Sequence, residues 1–295
     1  MNPFRDDLLE GKRILVTGGG TGLGREMALK FASLGAQVAI IGRREQPLRE
    51  TAEEIAALGR ARPFWRSCDI RDADAVDRLV EALFAQAPLT GLVNNAAGNF
   101  AARTKDLSPR GFNAIADIVF RGSFYVTQAV GKRWLAGGWR GGSIVSILAT
   151  WVLNGTPFMT PSAMSKAGVL AMTRSLAIEW GPYGVRLNAI APGAFPTPGA
   201  VERTMGGDAG RAGIAIERNP SGRIGEMEEL TNLAAFLVSD ASPYLTGEMI
   251  CLDGGAHLAS GANFSFMASY GDAEWAAIRQ AARAADGKAA QEAST

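Results

Sequence analysis

Thr17-Gly18-Gly19-Gly20-Thr21-Gly22-Leu23-Gly24 is the first run whose residue types and spacing suggest chemistry. Glycines at these intervals let backbone N–H groups approach a pyrophosphate that a Cβ would hold off. A helix opening from such a loop adds a favourable dipole for phosphate charge. A flexible turn is the plainer reading, and it yields only where a strand precedes the loop and a helix follows. A second cue is Gly42-Arg43-Arg44, after the next apolar run. A site for NAD usually places Asp or Glu there for the ribose 2′-hydroxyl, whereas two guanidinium groups suit a 2′-phosphate. NADP(H) is the expected cofactor, with Arg25 as a further contact. An ordinary solvated charge pair is the alternative for Arg43 and Arg44.

The elements that must hold these residues read as alternating strands and helices, the pattern of a parallel sheet. Strands are expected at Arg13–Thr17, Gln37–Ile41, Phe64–Arg66, Leu89–Val93, Ser143–Leu148, Val185–Ile190 and Glu248–Cys251. Helices are expected at Gly22–Leu34, up to Leu58, over Asp72–Gln86, from Ser108 to Leu135, over Ala163–Trp180 and over Glu226–Val238. Ser108 followed by Pro109 marks the start of the longest connection. The glycine loop therefore falls between a strand and a helix, as the phosphate reading requires. Phe195 to Arg223 lacks periodicity, and a stretch of that length suggests a lid. The expected class is α/β, a Rossmann-type doubly wound parallel sheet in one domain over residues 1–270, with a peripheral helix and tail over 271–295.

With 30 basic and 29 acidic side chains, neither sign dominates, which gives no electrostatic case for nucleic acid or a membrane surface. Cys68 and Cys251 form neither a metal-ligand spacing nor a disulfide framework, so no metal is expected. The N-terminal segment is polar, no apolar run is long enough to span a bilayer, and the final Glu-Ala-Ser-Thr is no peroxisomal address. A cytoplasmic location is the expectation.

The glycine loop, Cys68-Asp69-Ile70, Asn94-Asn95-Ala96-Ala97-Gly98, Ser165-Lys166 and Ala191-Pro192-Gly193, in this order, resemble the short-chain dehydrogenase/reductase family over about residues 10–255. The resemblance implies that Asp69 and Ile70 border the adenine and that Asn95 and Ala97 line the cofactor on the strand-four side. It also implies that Lys166 binds the nicotinamide ribose, with Pro192 and Gly193 near the carboxamide. The family's catalytic set is mostly replaced: Ser162 stands at the tyrosine position, Ala149 at the serine and Val119 at the asparagine. A narrower resemblance, carried by Ala96–Phe100, Ala116–Val119, Pro161–Ala163, Glu179–Gly181, Arg223–Gly225 and Leu233–Leu237, is to the 2,4-dienoyl-CoA reductases of fatty acid metabolism. Their mitochondrial type has an asparagine at Asn99 and a tyrosine where this chain has Trp151. The peroxisomal type has an aspartate at the place of Val119. Resemblance further implies a homotetramer built through the long helices and final strand.

Ketone reduction requires a positioned acid, which Ala149 and Val119 cannot supply. Dienoyl-thioester reduction first requires donors for a developing dienolate oxygen, and protonation at carbon can follow from water. Asn99, Ser162 and Trp151 could each donate, while Lys166, four residues after Ser162, shares its helix face. Each has a plainer reading: Trp151 as packing surface, Ser162 as a helix cap, Asn99 as a loop brace. Phe100, Trp151, Phe158 and Met159 would form an apolar slot, and Arg203, Arg211, Arg218 and Arg223 would be CoA contacts or solvated charges. His257 is read as incidental and Asp117 as a helix-surface group. The expected activity is NADPH-dependent reduction of an enoyl- or dienoyl-CoA thioester. The alternatives are a carbonyl reductase using Ser162 and Lys166, and an NADP-binding protein without turnover.

Overall fold

A parallel sheet covered on both faces needs strands that are apolar along their length. β1 (Arg13–Thr17) and β5 (Ser143–Ile147) are buried at every residue, and β6 (Arg186–Pro192) at all but its last. The computed structural model describes residues 3–138, 141–197, 219–259, 269, 271–278 and 280. Within them β2 (Gln37–Gly42), β3 (Phe64–Ser67), β4 (Gly91–Asn94) and β7 (Met249–Leu252) complete a seven-stranded sheet. Its order is β3-β2-β1-β4-β5-β6-β7, and every neighbouring pair is parallel. The order reverses between β1 and β4, the point at which doubly wound sheets open a crevice beyond their strand ends.

The period of two along each strand divides the core. Ile14 and Val16 of β1 pack with Met27 and Phe31 of α1 (Gly22–Ser33), and with Leu230 and Leu237 of α8 (Met227–Val238). Leu48 and Ile55 of α2 (Glu45–Ala57) join that cluster. Leu15 points the other way, to Val76 and Leu83 of α3 (Ala73–Gln86) and Val126 and Trp134 of α5 (Ser123–Ala136). Ala177 and Trp180 of α7 (Thr160–Trp180) close this second layer. The fully buried Trp134 satisfies its indole by donating to the Leu89 carbonyl at 2.6 Å.

Two expected helix starts carry their caps: Asp72 accepts from Ala75 N at 2.9 Å and Ser108 from Gly111 N at 3.1 Å. The long connection differs from the uninterrupted helix expected. After α4 (Pro109–Ala116) the chain forms a π turn, Asp117–Gly122, before α5. There Gly122 lies on Ile70 and Phe120 lies on Gly168, and a Cβ on either glycine would come within 2.6 Å of its neighbour. Two further differences concern the site. A short helix, α6 (Trp151–Asn154), follows β5, and α7 begins at Thr160 rather than Ala163.

Two units divide the chain, residues 1–257 and 258–295, where sequence placed the boundary at 270. Residues 272–278 of the second unit are helical. Most of the expected lid, with Arg203, Arg211 and Arg218, lies outside the described residues. Among the described residues no helix is long and apolar enough to cross a membrane, and no cluster of side chains could hold a metal ion.

Candidate functional site

A cleft of about 410 Å³ opens at the C-terminal ends of β1, β2, β4, β5 and β6. Its floor is the loop between β1 and α1, contributed by Gly18, Gly20, Thr21, Gly22 and Leu23. Gly18 and Gly22 have φ of 67° and 56°, a left-handed backbone that other residues adopt only with strain. A Cβ on Gly18 would also come to 3.0 Å from the Ala96 backbone, and one on Gly20 to 3.0 Å from Leu48 N. The loop follows a strand and opens a helix, so the condition set by its sequence context is met.

One end of the cleft is lined by Arg43, Arg44, Asp69 and Ile70. Neither Arg43 nor Arg44 has an ion-pair partner among the described residues, and both are exposed. Asp69 is instead held by Arg71, whose Nε lies 2.9 Å from its carboxylate, and that contact keeps the Asp69 carboxyl below its ordinary range. Asn95, Ala96, Ala97, Gly98 and Asn99 form the wall beyond β4, and Pro192 stands at the end of β6.

Some expected cofactor residues act from beneath this surface. Thr17 Oγ1 accepts from the N–H groups of both Asn95 and Ala96 at 3.0 Å, tying the β4 loop to β1. Asn95 Nδ2 returns the tie by donating to the Thr17 carbonyl at 3.0 Å. Gly24 packs under the loop, where a Cβ would strike the Gly18 carbonyl and the Asn95 amide. Gly193 lies against Asp253, 2.7 Å from where its Cβ would be. Thr17, Gly24 and Gly193 shape the cradle without lining it.

Of the four expected catalytic residues, Lys166 and Asn99 line the cleft, whereas Ser162 and Trp151 are not among its lining residues. Lys166 lines it and donates to the Ile147 and Leu148 carbonyls at 3.0 and 2.9 Å. Burial without an acidic partner brings its amine down to about 8. Ser162, one turn earlier on α7, is 1% exposed, and its hydroxyl has no hydrogen-bond partner. It is not a cap, because α7 begins two residues before it and the cap position is Met159. The Trp151 indole N–H, at the start of α6, is likewise buried and unpartnered. Asn99 lines the cleft and uses Oδ1 to accept from Phe100 N at 3.0 Å, which leaves its amide N–H groups as donors. Ala149 and Val119 are buried, with no acid between them.

The apolar slot is only partly assembled. Phe100 rests near Gly111 of α4 rather than in the cleft. Phe158 is 55% exposed on a left-handed backbone of φ 65°, and its carbonyl accepts from Ala102 N at 2.9 Å. Arg25 is turned away from the cleft into ion pairs with Glu26 and Glu54, so it is no 2′-phosphate contact. Arg223 is paired with Glu229 at 2.7 Å. His257 is not incidental, since its Nδ1 lies 2.8 Å from the buried Asp253 carboxylate. Asp117 is a surface partner of Arg121, as expected.

Sequence reasoning missed several lining residues: Gly42, Pro47, Leu48, Cys68, Ile118, Ile147, Leu148 and Thr197. Cys68 belongs to the recognised Cys68-Asp69-Ile70 motif, and Leu148 ends the expected strand from Ser143. Ile118 lies in the recognised Ala116–Val119 segment, but periodicity could not place it at the cleft, because the π turn that presents it breaks the helical repeat.

A family model described as enoyl-(acyl carrier protein) reductase matches residues 18–257. A Caenorhabditis elegans protein named "Probable 2,4-dienoyl-CoA reductase 3 [(3E)-enoyl-CoA-producing]" is 44% identical over 294 residues, covering 97% of this chain and 94% of its own. A Bacillus subtilis protein named "Probable 2,4-dienoyl-CoA reductase [(2E)-enoyl-CoA-producing]" is 40% identical over 253 residues, covering 85% and 98%. Among solved structures, a gluconate 5-dehydrogenase from Burkholderia cenocepacia in complex with NADP and tartrate matches with a TM-score of 0.78. It is 30% identical over 85% of this chain and 97% of that one.

Proposed function

The chain belongs to the short-chain dehydrogenase/reductase family of oxidoreductases, and on that premise we propose that it reduces a conjugated 2,4-dienoyl-CoA thioester with NADPH. Its resemblance to dienoyl-CoA reductases extends along nearly the whole chain. The observation that carries the reading is that Trp151 Nε1 and Ser162 Oγ, on the two helices between β5 and Lys166, are buried and unpartnered donors, while no acid stands at the family's usual positions. Buried donors left unsatisfied cost free energy, about 1–3 kcal/mol each, and such groups call for a functional explanation. Donors awaiting an oxyanion supply one.

The dinucleotide fits the residues present. Gly18, Gly20 and Gly22 leave space where a Cβ would intrude, and neither Arg43 nor Arg44 is held in an ion pair among the described residues. Thr21, Leu23, Asn95, Ala96, Ala97, Gly98 and Pro192 complete the contact surface, Thr17, Gly24 and Gly193 support it, and Asp69 and Ile70 meet the adenine. Lys166 holds the nicotinamide ribose. Bound there, NADPH supplies the two reducing electrons as hydride.

Asn99, Ser162 and Trp151 then hold the thioester oxygen as negative charge collects on it, and the positive Lys166 raises the potential around it. Exposed Phe120 and Phe124 on the long connection, with Ile178 on α7, support assembly into a homotetramer, and light scattering that finds a monomer would remove that part of the reading.

The deciding experiment follows NADPH oxidation with a 2,4-dienoyl-CoA beside a simple ketone. Turnover of the dienoyl thioester is expected. Activity on the ketone alone would make the protein a carbonyl reductase, and tight NADPH binding with neither activity would make it a binding protein.

A further inference from the structure

β2 ends at the corner where Arg43 and Arg44 meet the cleft, and three consecutive carbonyls there are held from two sides. The Ile41 carbonyl accepts from Gly18 N at 2.7 Å, which ties β2 to the glycine loop. On the other side the Gly42 carbonyl accepts from Cys68 N at 2.8 Å, and the Arg43 carbonyl accepts from the Ser67 hydroxyl at 2.9 Å. The first two bonds run backbone to backbone and do not depend on side chains. The third depends on which residue stands at Ser67, the last position of the edge strand β3, opposite Gly42 in the register.

We propose that Ser67 is a positioning residue for the 2′-phosphate of NADPH, acting through Arg43 and Arg44. The inference rests on the NADPH part of the proposed function. A peptide unit is planar, so the bond to the Arg43 carbonyl fixes the one plane that joins the two arginines. That plane sets ψ of Arg43 and φ of Arg44, and with them the directions in which both side chains leave the backbone. The same bond keeps the partial negative charge of the carbonyl turned to β3, where it cannot swing toward a phosphate.

The two arginines have little else to direct them. Neither is held in an ion pair among the described residues, and Arg44, the N-cap of α2, makes no side-chain capping bond. Other guanidinium groups of this corner are engaged: Arg25 with Glu26 and Glu54, Arg71 with Asp69, and Arg66 over the Phe64 ring at 5.3 Å. Arg71 foremost, and Arg43 more weakly, hold the Asp69 carboxyl below its ordinary range, so Arg43 stands within reach of that charge. An Arg43 released from the Ser67 tie is free to turn to Asp69, and a 2′-phosphate must then compete for it.

The test measures, by calorimetry on the full chain, the Kd for NADPH and for NADH. Ser67→Ala removes one neutral hydrogen bond, and is expected to weaken NADPH binding by about 3–10-fold while NADH stays within about twofold. Ser67→Thr keeps the hydroxyl and should bind both dinucleotides as wild type does. Ser67→Val matches Thr in shape without the hydroxyl, and should behave as Ser67→Ala. In an R43S/R44S background Ser67→Ala should cost NADPH nothing further, because coupled residues are not additive. Equal losses for NADPH and NADH would overturn the proposal and leave Ser67 a strut of the sheet edge. So would an unchanged NADPH affinity, or a loss that persists in full without the two arginines. A wild type that binds NADH as tightly as NADPH would instead remove the cofactor reading, and this proposal with it.

Discussion

Arg43 and Arg44 stand at the cleft edge without carboxylate partners among the described residues, while Arg25, one turn into α1, is spent on Glu26 and Glu54. Discrimination between NADPH and NADH is therefore expected from the first two alone. Charge-assisted hydrogen bonds contribute about 1.5–3 kcal/mol, so R43S/R44S should weaken NADPH binding by about 10–100-fold and leave NADH nearly unchanged, as calorimetry would read. R25S should leave the ratio of the two affinities as it was. At Trp151 the useful change is to Phe, which keeps a ring and removes the N–H. Loss of one oxyanion donor costs about 10²–10³ in kcat, whereas a residue that only packs would show a small change in KM. The cradle was legible in sequence because a glycine at Gly18 or Gly24 answers a local steric demand. The unsatisfied state of Ser162 and Trp151 was not, because it depends on where α6 and α7 set each atom among residues distant in the chain.

Helix contacts set the next level. Asp77 of α3 receives Arg133 and Lys132 from α5, and these two, Arg133 foremost, hold its carboxyl down at about 2 from the ordinary 3.8. A carboxylate depressed by folding stabilises the protein above its unfolded pKa, and the benefit is lost as pH falls from about 3.8 to about 2. The Asp77 side chain is 40% exposed, so the gain is small, under about 1 kcal/mol. Asp77→Asn should lower the melting temperature slightly at pH 7, and that difference should vanish near pH 2 and shrink in high salt. Helix starts at Asp72 and Ser108 were readable because a cap is written in a few adjacent residues. The π turn was not, since it arises from Gly122 meeting Ile70 and Phe120 meeting Gly168. α6 is a single short turn and leaves too little periodicity to detect.

Across the whole molecule, the class was legible because seven apolar runs separated by helical patterns leave few arrangements besides a covered parallel sheet. The strand order places the reversal between β1 and β4, so the glycine loop and the Asn95–Asn99 wall must face each other. Ligand binding there should stabilise the native state by mass action. At about 100 times its Kd, NADPH adds about 2.7 kcal/mol, or about 5–10 °C of melting temperature for a domain of this size. Differential scanning fluorimetry showing no shift would remove the cofactor assignment.

The Ala102 to Phe158 backbone bond and the paired hydroxyls of Thr104 and Thr160, 3.0 Å apart, join the segment that walls the dinucleotide to the one that leads into Ser162 and Lys166. The two banks of the crevice are thus riveted together. Opening either bank alone means breaking both bonds, each worth about 0.5–1.5 kcal/mol, so movement of one bank is coupled, modestly, to the other.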